Sequence, residues 1–145
     1  MSEYLQTSFP GLRTAPFQVT SPANQKYNCI AWAAADANTW WWPRGDPTTI
    51  VWPPTAMREL TLDAFTTAFH SLGFVGGADE SLEPAIEKVA LFADPAGTPT
   101  HAARQLPSGR WTSKLGQAVD IEHELRALEG EIYGEVASIL KRPRP

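Results

Sequence analysis

The chain has 145 residues, enough for one ordinary domain with a real core, and a formal net charge of −4. That charge and the lack of a basic stripe exclude nucleic acid as the expected partner, and no apolar run is long enough to span a membrane. The single cysteine excludes an internal disulfide and fits a reducing cytoplasm; the first residues also lack the basic-then-apolar pattern of a signal peptide.

Most of the thirteen prolines fall within residues 10–22, 43–54 and 95–107, which predicts long ordered loops between few elements. Residues 1–21 read as an extended arm, with an edge strand at 17–20. Ser21-Pro22-Ala23-Asn24 is turn chemistry. The stretch Tyr27-Asn28-Cys29-Ile30-Ala31-Trp32-Ala33 follows. Asn28 is placed to cap a helix running to about Asn38, with Cys29 in its first turn. Free N–H groups and the macrodipole favour a thiolate there, which makes Cys29 a candidate nucleophile. The same residue also suits the role of a small buried hydrophobe.

Five of the six tryptophans lie between Trp32 and Trp52. Trp41-Trp42-Pro43 ends the preceding helix, because Pro43 disfavours helix at Trp42. These indoles suit either the wall of a substrate cleft or the anchoring of a Pro-rich loop to the body. Residues 61–72 form the clearest helix, with Leu62, Phe65, Phe69 and Leu72 on one face and Thr61 as cap. Residues 79–83 are an acidic, solvated loop. A strand is expected over 87–93. Residues 100–106 then pair with 110–115 across Pro107-Ser108-Gly109. Asp120 is placed to cap a last helical region carrying Ile121, Leu125 and Leu128. A second short helix is expected over 134–140, followed by a flexible tail over 141–145. The whole, 1–145, reads as a single domain.

A thiol nucleophile needs a base, and the base needs an orienter. His101 is the best base. If Leu106 pairs with Arg110, then Gln105 faces Trp111, and Ser113 lies diagonal to His101 on the same face of the hairpin. Ser113 is therefore the expected orienter, with Asp120 as rival, and His123 is the alternative base. Gln25 or Asn24, just before Cys29, is placed to donate to an oxyanion together with the Cys29 N–H. Trp32, Trp41, Trp42 and Trp111 are the expected substrate-binding aromatics. One Cys and three scattered His offer no close-spaced metal ligands, so neither metal nor cofactor is expected. Arg104 and Lys114 point away from the His101 face, either toward an anionic partner or toward acidic segments of the chain.

The motifs Tyr27-Asn28-Cys29-Ile30-Ala31-Trp32-Ala33, Thr100-His101-Ala102-Ala103-Arg104-Gln105-Leu106 and Gly109-Arg110-Trp111-Thr112-Ser113-Lys114-Leu115-Gly116 together resemble a family of small uncharacterised bacterial proteins, a domain of unknown function. A looser resemblance, resting on Cys29 opening a helix and His101 on a later strand, is to papain-like (NlpC/P60-type) cysteine hydrolases. It implies an α+β, papain-like fold: an N-terminal Cys-bearing helix packed on a small antiparallel sheet, with additional helices. It also implies a cysteine hydrolase or acyltransferase acting on an amide or thioester of a peptide, a protein or a small amide. The alternative is a non-enzymatic binding domain whose Trp-rich loop is the contact surface.

Overall fold

The computed structural model describes residues 2–145. A six-stranded antiparallel sheet dominates it, in the spatial order β1-β5-β4-β3-β2-β6. The elements in chain order begin with α1 (Ser2–Ser8), a 3-10 turn at Pro10–Arg13, β1 (Gln18–Ser21), α2 (Cys29–Ala33) and α3 (Leu62–His70). They continue with β2 (Ile86–Ala93), β3 (Pro99–Gln105), β4 (Trp111–Lys114), β5 (Asp120–His123), a second 3-10 turn at Leu125–Leu128 and β6 (Glu135–Pro143).

The sheet carries a hydrophobic core on each face, so β2 is buried on both sides from Glu87 to Ala93 and apolar apart from Glu87 and Lys88. On one face, α2, α3 and the Trp-rich loop cover Val89, Leu91, Ala102 and Leu140 through Ile30, Trp41, Trp52, Phe65 and Phe69. On the other, α1, the two 3-10 turns and Tyr133 cover Ala90, Phe92, Ala103, Trp111 and Ile121 through Leu5, Phe9, Leu12, Leu125 and Leu128.

The expected papain-like fold is overturned. The Cys-bearing helix does not lead a helical layer: it is five residues long and packs on a six-stranded sheet that is the largest element of the fold. Its cap is as expected, with Asn28 Oδ1 accepting from Ala31 N at 3.1 Å. It stops early because Asp36 accepts from Asn38 N and Thr39 N, drawing the backbone into a turn. Ala35 takes a left-handed φ of 63°, and Asp36 N reaches back to Ala31 O at 2.8 Å.

Two expected helices are strands. Asp120–His123 is β5, hydrogen-bonded between β1 and β4, and Glu135–Pro143 is β6, paired along the length of β2. Asp120 therefore caps no helix, and Lys141 to Pro143 belong to a strand rather than a tail. The arm is not wholly extended either. Residues Leu5, Phe9 and Leu12, at helical spacing, bury themselves through α1 and the 3-10 turn. The edge strand β1, the Thr61-capped helix α3 and the β3–β4 register, with Gln105 opposite Trp111, stand as expected. No helix among the described residues is long and apolar enough to cross a membrane.

Candidate functional site

Along β3, successive side chains face opposite sides of the sheet. Ala102 and Arg104 face α2, and Ala102 belongs to the same core as Cys29. His101 and Ala103 face the Phe92 and Trp111 core. Cys29 and His101 are thus divided by the sheet itself. The expected Cys29–His101 dyad is not brought together, and no rotamer change joins them.

Cys29 is 8% exposed. Burial pushes its thiol up to about 11, although hydrogen bonding at Ala102 and Ile30 and the charge of Lys114 pull the other way. The helix N-terminus is present, but loss of solvent outweighs it. The thiol is protonated near neutral pH and poorly placed for attack.

Ser113 does meet His101, as expected from the hairpin register: Nε2 and Oγ are 2.9 Å apart. His123 approaches Ser113 from β5, with Oγ to Nε2 at 2.7 Å. The protons can be assigned from the partners. His123 Nδ1 lies 2.8 Å from the Glu124 carbonyl, which can only accept, so Nδ1 carries the proton. Nε2 of the neutral ring then accepts from the Ser113 hydroxyl, and Ser113 Oγ accepts from His101 Nε2–H. That leaves His101 Nδ1 as a buried lone pair without a partner. The His101 ring stacks on Tyr133 at 3.9 Å.

All three side chains are fully enclosed. Burial, together with the neighbouring His123, holds His101 well below the ordinary imidazole value. Burial also lowers His123 to about 4, against the pull of the Glu124 carbonyl. Ser113 and His123 have the hydrogen bond of a nucleophile–base pair, but no substrate reaches them. Their contact follows from β5 being a strand that sets His123 opposite Trp111, diagonal to Ser113. Reading that stretch as a helix hides this relation.

The remaining expected residues are scattered. Gln25 is exposed in the turn before α2, while the Cys29 thiol it was to serve is buried. Asp120 lies on the Cys29 side of the sheet, where it accepts from Tyr27 Oη at 2.7 Å; it does not orient His101. Trp41 is buried, donates to Asp36 at 3.1 Å, and is clamped through its backbone by Asn28. Trp42 and Trp52 meet Phe65 edge-on at 5.5 and 5.1 Å. Trp42 and Trp52 thus fasten the loop to α3, and Trp41 fastens it to the two ends of α2. Trp32 is half-buried and donates to Thr112 Oγ1 at 2.9 Å, whereas Trp111 is buried in the core on the other face. The four expected aromatics therefore line no common cleft. Among the described residues, no group of three His, Cys, Asp or Glu side chains is placed to hold a metal.

An opening of ligand size lies elsewhere. A cleft of about 1080 Å³ lies between the β2–β3 turn, the start of α3 and residues 129–137. Its walls combine Leu62, Ala93, Pro95 and Val136 with Asp94, Glu129, Glu131 and Glu135. Glu129 is engaged by Arg126 and by Val136 N, and Asp94 by the amides of its own turn. Glu131 and Glu135 are exposed, and neither forms an ion pair among the described residues. Sequence reasoning missed this site because its walls come from segments that read as turn and helix. The run of acids from Glu122 to Glu135 was its only signal.

Neither a curated protein nor a solved structure matches this chain. One family model does match, over residues 18–141, from β1 into β6, and by that match the chain belongs to the DUF7689 family, a domain of unknown function.

Proposed function

We propose that the chain is a non-catalytic binding domain that takes a basic, partly apolar peptide segment into the cleft beside residues 129–137. The observation that carries this reading is a contrast. The thiol, both buried imidazoles and Ser113 are sealed inside two cores, whereas an acidic cleft of ligand size stands open. The apolar wall of Leu62, Ala93, Pro95 and Val136 suits aliphatic side chains, and Ile132, half exposed at its edge, extends that surface. Glu131 and Glu135 supply charge that the fold leaves uncompensated, which favours Lys or Arg on the incoming segment. In this reading the Trp-rich loop buttresses α3 and is not itself the contact surface.

The test is fluorescence anisotropy with a short labelled peptide alternating Lys and Leu, and with a Glu/Leu control. The Lys/Leu peptide is expected to bind saturably and to weaken as salt rises. Replacing both Glu131→Gln and Glu135→Gln should weaken it by roughly tenfold, as two partly exposed ion pairs would. No saturation, or equal binding of the Glu/Leu control, would refute the proposal.

A further inference from the structure

We infer that Arg104 is an oxyanion-binding residue, holding a carboxylate or phosphate group at the α2 face of the sheet, at the end of β3 away from the cleft. The inference rests on how arginines and carboxylates are matched there. Glu87 lies opposite Arg142 in the β2–β6 pairing, and Arg104 lies opposite Val89, so Arg104 is diagonal to Glu87 on one face. Glu87 is already engaged. One of its oxygens takes Arg142 Nε at 3.0 Å and Nη2 at 2.7 Å, and the other has Arg144 at 3.8 Å. Two guanidinium groups thus take up the one carboxylate, and Arg104 stands beside them without a share in it.

Arg104 is the member without an ion pair. Its Nε donates to the Trp32 carbonyl at 3.3 Å, and its guanidinium sits 5.2 Å from the centre of the Trp32 ring. Trp32 is itself fixed by Thr112 and by Tyr27, whose ring lies 5.4 Å away. The guanidinium is therefore set in position from one side. Among the described residues its two terminal nitrogens meet no acceptor, and the side chain is part-buried with neither nitrogen wholly enclosed. Burial and the charges of Arg144 and Arg142 penalise its cation, and the more distant charge of Glu87 only partly offsets them. Asp120, the other carboxylate acting on it, is already bound by Tyr27. A planar donor pair that is fixed, part-desolvated and without a direct ion-pair partner matches two oxygens of a carboxylate or phosphate.

The test is an NMR titration of isotope-labelled protein, following the assigned Arg104 Nε–H resonance. Inorganic phosphate and benzoate are added separately, with ionic strength held constant by chloride. The expected result is a saturable shift of that resonance, with Arg104→Lys weakening the same anion about tenfold, because a point charge replaces the fork. Saturation by phosphate alone assigns a phosphate ligand; saturation by benzoate alone assigns a carboxylate. If the Arg104 resonance does not saturate with either anion, or Arg104→Lys binds as tightly as wild type, the inference fails. Should Arg104→Lys not fold, the wild-type titration decides by itself.

Discussion

The two faces of the sheet bury polar groups in different ways. On the α2 face, most of the buried polar side chains meet partners of matched chemistry, Asp120 Oδ1 and the outer end of Arg104 being exceptions. Asn28 bonds both α2 and Trp41, Tyr27 donates to Asp120, and buried Lys114 donates to the Ala118 carbonyl while lying over the Tyr27 ring. Cys29 sits among these as a neutral, apolar filler. On the opposite face, His101, Ser113 and His123 form one chain of neutral hydrogen bonds with an unmatched lone pair at its end. The first arrangement tolerates loss of its thiol, while the second depends on every proton being in place. Two side chains read together as a catalytic pair are thus parts of two unrelated structural solutions.

The largest expected effect of that difference is on pH. Both histidines have folded-state values below the unfolded value of 6.5, His123 near 4. Below about 6.5 the unfolded chain takes up protons that the folded chain refuses. Stability is therefore full above that value and falls with decreasing pH, each histidine's share levelling off only where that ring protonates in place. Each histidine contributes a slope of up to about 1.4 kcal/mol per pH unit. Urea midpoints measured from pH 7 down to 4.5 should show the fall, and a flat profile would mean that the rings are solvated.

Next in size is Ser113→Ala. It leaves a donor on His101 and an acceptor on His123 buried and unpaired, at an expected loss of about 2–4 kcal/mol in chemical denaturation. Cys29→Ala on the other face removes only a small apolar volume and should cost about 1 kcal/mol. If the cost of Cys29→Ala matched that of Ser113→Ala, the distinction between the faces would collapse. Smallest is Ala35→Gly, which relieves the left-handed backbone after α2 and should raise stability by about 0.5–1 kcal/mol, read as a higher melting temperature.

How far the sequence carries can be seen at His101. A three-residue turn ending in Gly109 sets the β3–β4 register, and strict alternation then puts Ser113 on the His101 side. The same alternation turns Ala102 the other way, but nothing in the residues of α2 says which side of the sheet that helix covers. That choice is made by Phe65, Phe69, Trp41 and Trp52, distant residues that share its core. The ends of the chain mislead for a different reason. Ile121, Leu125 and Leu128 keep helical spacing only because a strand, a turn and a 3-10 turn follow one another. In β6, an edge strand, half-exposed polar residues give a composition that reads as helix. The cleft depends on the turn between these two misread segments, so only the acidic run from Glu122 to Glu135 hinted at it.

The most direct measurement is the rate of Cys29 alkylation by iodoacetamide as a function of pH, in folded protein. A thiol buried on the far side of the sheet from His101 predicts slow labelling at neutral pH, rising only toward strongly alkaline pH or on unfolding. Fast labelling with a midpoint below that of a free thiol, moved upward by His101→Gln, would restore the catalytic pair and contradict a non-catalytic domain.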